Sequence, residues 1–158
     1  MAKLITTLTL EQATIIIDHA LAAGVEHDMR PLTVSVLDAG GHLVAMKRSD
    51  GSGILRPQIA FGKAYGALGV ERPSRVLEEG LAARPGFQNS LSVAAEGRLV
   101  PAPGGVLICA EEGETIVGAV GISGDTSDRD EYCAIVGIRA ADLMPDPLEP
   151  APNWDEGY

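Results

Sequence analysis

Cationic side chains are scarce in this chain: 12 Lys and Arg stand against 22 Asp and Glu, a formal charge of −10. Nucleic-acid binding rests on a basic patch that meets phosphates, so that class of function is excluded as the main activity. Long apolar runs are missing too. None approaches the roughly 20 residues that cross a bilayer as a helix. The first residues, Met1-Ala2-Lys3-Leu4, carry no long apolar core of an export signal, so a cytoplasmic location is expected. The two cysteines, Cys109 and Cys133, make no disulfide framework and read as buried thiols. Aromatic residues are only 4% and Trp154 is the one tryptophan, so the core must come from Ala, Val, Ile and Leu. With 19 glycines, that composition accompanies close backbone packing or an oligomeric interface.

What is present organises around Thr115–Val136. The apolar, β-branched run 116–122 predicts a buried strand. It breaks at Ser123-Gly124 and restarts with Asp125, Thr126, Ser127 and Asp128 ahead of a helical repeat, with Thr126 or Ser127 as N-cap. Such a junction turns backbone N–H groups outward, a place for a polar ligand group or for a capped helix start and no more.

In chain order, Thr9 and Gln12 form a capping box for a helix along Ala13, Ile16, Ile17 and Ala20, stopped by Gly24. Leu32, Val34 and Val36 alternate with Thr33 and Ser35, a strand with one buried face. Asp38-Ala39-Gly40-Gly41 is a hairpin turn and 42–48 its return strand. Pro57 opens a helix carrying Ile59, Ala60, Ala64 and Leu68, with Lys63 at the stripe's edge. A shorter helix spans 75–83, and Arg84-Pro85-Gly86 breaks it. A strand at 98–100, strands at 106–110 and 116–122 joined by an acidic turn over 111–114, and a helix over 126–144 complete an α-β-β-α-α-β-β-β-α order. It predicts an α+β fold with a five-stranded antiparallel sheet flanked by helices, one domain over 1–144. The prolines at 145, 147, 150 and 152 predict an irregular tail over 145–158, where Trp154 either anchors a neighbouring subunit or hangs free.

The segments VSVLDAGGHLVAMKRSDG (34–51), AFGKAYGAL (60–68), PGGVLI (103–108) and GAVGISGDTSDRDE (118–131), in this order, resemble the GlcG/HbpS-like family, which includes haem-binding proteins and the C-terminal domain of PduO-type adenosyltransferases. The resemblance spans about residues 8–141. It implies a profilin-like fold, a homo-oligomer of up to eight copies and haem or another small molecule as ligand. Two departures stand out. Prolines precede Gly104-Gly105 where the family has a third glycine and a later proline, and Asp125 replaces a glycine of the final loop.

No zinc pattern, P-loop or dinucleotide fingerprint occurs, and GISGD lacks the spacing of a nucleophile elbow. No metal site is expected. Lys63 is the candidate to hold a carboxylate or propionate or to act as an amine, and Asp130 or Glu131 to move a proton. His19, His27 and His42 are the only imidazoles available to iron, and His19, flanking a buried helix face, leads. Phe61 with Tyr65 offers a stacking surface, while Gly104, Gly105, Ser123, Gly124 and Asp125 form the expected rim. Glu78 and Glu79, adjacent on a helix and pointing about 100° apart, make a poor chelate. Three readings follow: a small-molecule or haem-binding oligomer, a catabolic enzyme acting on a small organic acid through Lys63 and an acid of the 125–131 loop, and an assembly subunit using its Trp154 tail.

Overall fold

The computed structural model describes residues 1–110 and 113–156. Thr9 caps α1 (Leu10–Glu26) with the expected reciprocal bonds to Gln12. Gly24 does not stop this helix. It is buried inside it, where a Cβ would press within 2.7 Å of Leu32, so the glycine serves close packing. The hairpin β1 (Thr33–Asp38) and β2 (Leu43–Arg48) forms as predicted. Asp38 Oδ1 accepts from the N–H groups of Gly40 and His42, and Gly41 takes φ +79°.

Helix α2 (Arg56–Val70) has Pro57 in its first turn, and α3 (Ser74–Leu81) follows. Pro85 then opens a further helix, α4 (Pro85–Ala94), instead of merely ending the previous one. Its missing N–H and fixed φ suit a first helical position. Residues 98–100 are not a strand. The Val100 N–H bonds to the Gly62 carbonyl of α2, and Leu99 is buried with Leu77 and Leu81.

Strands β3 (Gly105–Cys109) and β4 (Ile116–Ser123) precede α5 (Ser127–Ala140), N-capped by Thr126. Of the expected acidic turn, Glu111 and Glu112 lie outside the described residues. Helix α5 ends at Ala140, short of Met144. Met144–Asp146 instead forms β5 against β3, an edge position where Pro145 can sit without breaking a ladder on both sides.

The five strands run antiparallel in the order β2-β1-β4-β3-β5. Val34, Val36, Val106, Ile108, Val120 and Ile122 meet α1 and α5 on one face. Leu37, Leu107 and Ala119 meet α2 on the other. The polar side of β1 is therefore not solvated: Thr33 and Ser35 are fully buried as well. The two thiols are free and buried, as the sequence suggests.

Candidate functional site

The site begins with glycines. A Cβ on Gly121 would overlap the Ala60 carbonyl oxygen, and one on Gly105 that of Lys63. Their absence lets the α2 backbone lie directly on β3 and β4. At that depth the Lys63 side chain passes Gly104, which adopts φ +110° and whose missing Cβ leaves room for both Nζ and Asp130. Lys63 Nζ donates to Asp130 Oδ2 at 2.9 Å, and both side chains are closed off from solvent.

Around this pair the strand-to-helix junction carries several further bonds. Asp130 Oδ1 accepts from the Asp125 N–H at 3.1 Å. Asp125 in turn accepts from the N–H groups of Arg30 and Thr126, each at 2.8 Å, with Arg129 at 3.5 Å. Burial raises the Asp125 carboxyl, but those two amides and the Arg129 guanidinium outweigh it and hold the group below its ordinary range. Burial pushes Asp130 upward against the pull of Lys63 and Arg56. Ser123 Oγ accepts from Arg56 Nη1 at 3.1 Å, and Ser74 Oγ clamps the Gly105 amide at 2.7 Å.

Glu131 differs from all of these. It is fully buried, and neither oxygen has a partner in full hydrogen-bond geometry among the described residues. Arg75 Nη1 lies 3.4 Å away. Burial lifts the carboxyl to about 7, helped by Asp128, while Arg75, the Ala151 amide and Lys63 pull it down. Burial also lifts the Cys133 thiol to about 12, which makes it an inert core group.

Lys63, Gly104, Gly105, Ser123, Gly124, Asp125, Asp130 and Glu131 thus share one neighbourhood. Phe61 lies elsewhere, stacked on Tyr65 at 5.7 Å, with Arg98 over the Tyr65 ring. His19 is exposed on α1, a helix of the sheet's other face, and joins neither group. His27 Nε2 pairs with the Tyr132 hydroxyl at 3.1 Å, and exposed His42 with Asp38 at 3.3 Å. Trp154 stacks on Tyr132 of its own chain. Among the described residues no group of three His, Cys, Asp or Glu is placed to hold a metal, and no helix is long and apolar enough to cross a membrane.

Five clefts among the described residues are lined without Lys63 or Asp130. One of about 400 Å³ opens between α2, α3 and α4, walled by Val70, Val76, Leu77, Leu81, Phe87 and Leu91. Arg72 and Arg84 stand at the same cleft, Arg84 over the Phe87 ring. No single position announces this cleft in the sequence, because its walls come from three helices and one of those, α4, has too irregular an apolar pattern to read.

A family model described as "Haem degrading protein HbpS-like" matches residues 8–139. The chain belongs to the HbpS-like family. An uncharacterized 15.0 kDa protein from the dhaT-dhaS intergenic region of Citrobacter freundii is 29% identical over 131 residues, 82% of this chain and 89% of that protein. A crystal structure of a double mutant of Streptomyces reticuli HbpS is 27% identical, with a TM-score of 0.73 over 87% of this chain and 89% of that one. A structure described as a PduOC:heme complex shares the fold, with a TM-score of 0.76 at 23% identity over 86% of this chain and 96% of that one.

Haem can be tested against the residues present. A porphyrin needs apolar walls, cations for two propionates and, for ligation from the protein, an iron ligand. The α2–α3–α4 cleft meets the first two. Its walls hold no His, Cys, Met or Tyr, so they offer apolar surface and cations but do not themselves ligate the iron.

Proposed function

We propose that this protein is a small-molecule-binding member of the HbpS-like family that takes haem in the cleft between α2, α3 and α4. The observation that carries the reading is the pairing of a wall of six apolar side chains with two guanidiniums in one cleft. That combination matches a flat apolar dianion, and arginine is suited to carboxylates. The family description and the haem complex of a structural relative support the same ligand class. Haem, when bound, would supply a redox-active iron. The chain's own residues orient the ring through Leu77, Leu81 and Leu91 and hold the propionates through Arg72 and Arg84.

The test is an absorbance titration of the apo-protein with haemin. A saturable Soret shift is expected, weakened at least tenfold in Arg72→Glu/Arg84→Glu and preserved in His19→Ala. No saturable shift removes the haem reading. A shift indifferent to the two arginines moves haem out of this cleft.

One observation favours a second reading, the enzyme acting on a small organic acid. Glu131, near neutrality and beside Arg75, has the proton affinity of a general acid or base. There Lys63 and Asp130 position the site, and Glu131→Gln, a neutral isostere, abolishes turnover while the fold survives.

A further inference from the structure

Residues beyond 139 lie outside the family match, and here they are put to a specific use. After β5 the chain turns back along α5. Arg139 Nη2 donates to Glu149 Oε1 at 2.7 Å and to the Leu148 carbonyl. Arg75 Nη2 donates to the Glu149 carbonyl at 3.2 Å. The Trp154 indole stacks on the Tyr132 ring with centroids 3.5 Å apart and planes within 3°, and the His27 ring stands edge-on to both. Between these anchors the Ala151 amide faces Glu131. The segment that the prolines mark as irregular is therefore a strap, laid over a buried carboxyl that lacks a well-formed hydrogen bond.

We propose that residues 147–156 close over Glu131 while that carboxyl is protonated and lift when it ionises, so that pH sets access to the Glu131–Arg75 pair. Of the groups facing Glu131, Arg75 and the strap's Ala151 amide favour the charged form, but burial outweighs them. Lys63 of α2 is committed to Asp130, Asp128 of α5 repels a second negative charge, and Arg75 of α3 divides its guanidinium between Glu131 and the strap carbonyl. An ionised Glu131 is thus short of compensation beneath the strap and gains water only when the strap moves. The anchors are of a releasable kind: an exposed ion pair, two bonds to strap carbonyls and one ring stack.

The sign follows from the carboxyl's burial. The closed state, in which the carboxyl is buried and held at about 7, keeps the proton more tightly than an open state in which water reaches it. Closure is therefore undisturbed in acid, weakens as pH rises toward about 7, and weakens no further above that. This inference does not rest on haem binding, and it concerns the same Glu131–Arg75 pair that the second reading uses.

Trp154 is the only tryptophan, so its fluorescence reports the strap directly. Acrylamide quenching of the full chain is followed from about pH 4 to about pH 8, a range that spans the carboxyl's titration. In the wild type, quenching rises at least twofold as pH approaches about 7 and levels off above it, with far-UV circular dichroism unchanged. Glu131→Gln, a neutral isostere, keeps quenching low and flat. His27→Gln retains the rise, which separates Glu131 from the imidazole beside the indole. The proposal is overturned by a flat wild type, by a rise that persists in Glu131→Gln or disappears in His27→Gln, or by loss of circular dichroism alongside the rise.

Discussion

Lys63 and Asp130 form a closed pair whose Coulomb attraction offsets the desolvation of two charges only while both are present. Lys63→Met therefore leaves a buried carboxylate without its cation and costs about 3–5 kcal/mol in urea unfolding. Lys63→Met with Asp130→Leu recovers most of that. Equal losses in the single and double variants would show that packing, not charge, holds this position. Glu131 acts in the opposite sense. Its carboxyl rises from 4.5 to about 7 on folding, so between those values the native state holds the extra proton and stability falls with rising pH. The loss amounts to at most about 3 kcal/mol and is complete above about pH 7. Glu131→Gln flattens the stability-pH profile there, and a slope unchanged in the variant would assign it to another group. The sequence marks all three residues as chemically suited to a site, because residue type and a loop-to-helix position are local properties. Which pairs with which is not local. Lys63 meets Asp130 across 67 positions only because Gly104, Gly105 and Gly121 let a helix lie on the strands.

At the scale of elements, those glycines divide into two kinds. Gly121→Ala drives a methyl into the α2 backbone and is expected to destabilise by more than about 2 kcal/mol, the range of an overpacked core. Gly69, in the last turn of α2, has nothing within 4 Å of a Cβ, so Gly69→Ala stabilises by up to about 1 kcal/mol through helix propensity. Thermal melts that rank the two variants the other way would contradict the helix-on-sheet packing. The same division explains which elements the sequence makes legible. Helix α1, the β1–β2 hairpin, α2, β4 and the start of α5 carry caps, turns or strict periodicity within a few residues. Helix α4 does not, since none of its residues is buried and it has no side-chain cap. Strand β5 contains a proline and is a strand only because the β3 edge is there to pair it.

On the scale of the whole molecule, Val93 of α4 is an unspent apolar side chain. It is 79% exposed, on a helix with no buried residue, and lies outside the cleft that Phe87 and Leu91 wall. The family resemblance implies a homo-oligomer, and α4 is the surface we propose for it. Val93→Glu is then expected to shift the assembly toward smaller species in light scattering while thermal stability changes by less than about 0.5 kcal/mol, as for a surface position. An unchanged mass would place the interface elsewhere. The amino-acid sequence by itself determined the sheet-and-helix class, the family, the acidic surface and the chemically capable side chains, since these follow from period, motif and composition. Only the tertiary structure decided that Lys63 is sealed against Asp130, that three helices frame a cleft with two arginines, and that the proline-rich end lies on its own chain over Glu131. Each of these depends on backbone approach between distant segments, which burial and sterics decide once the whole chain is packed.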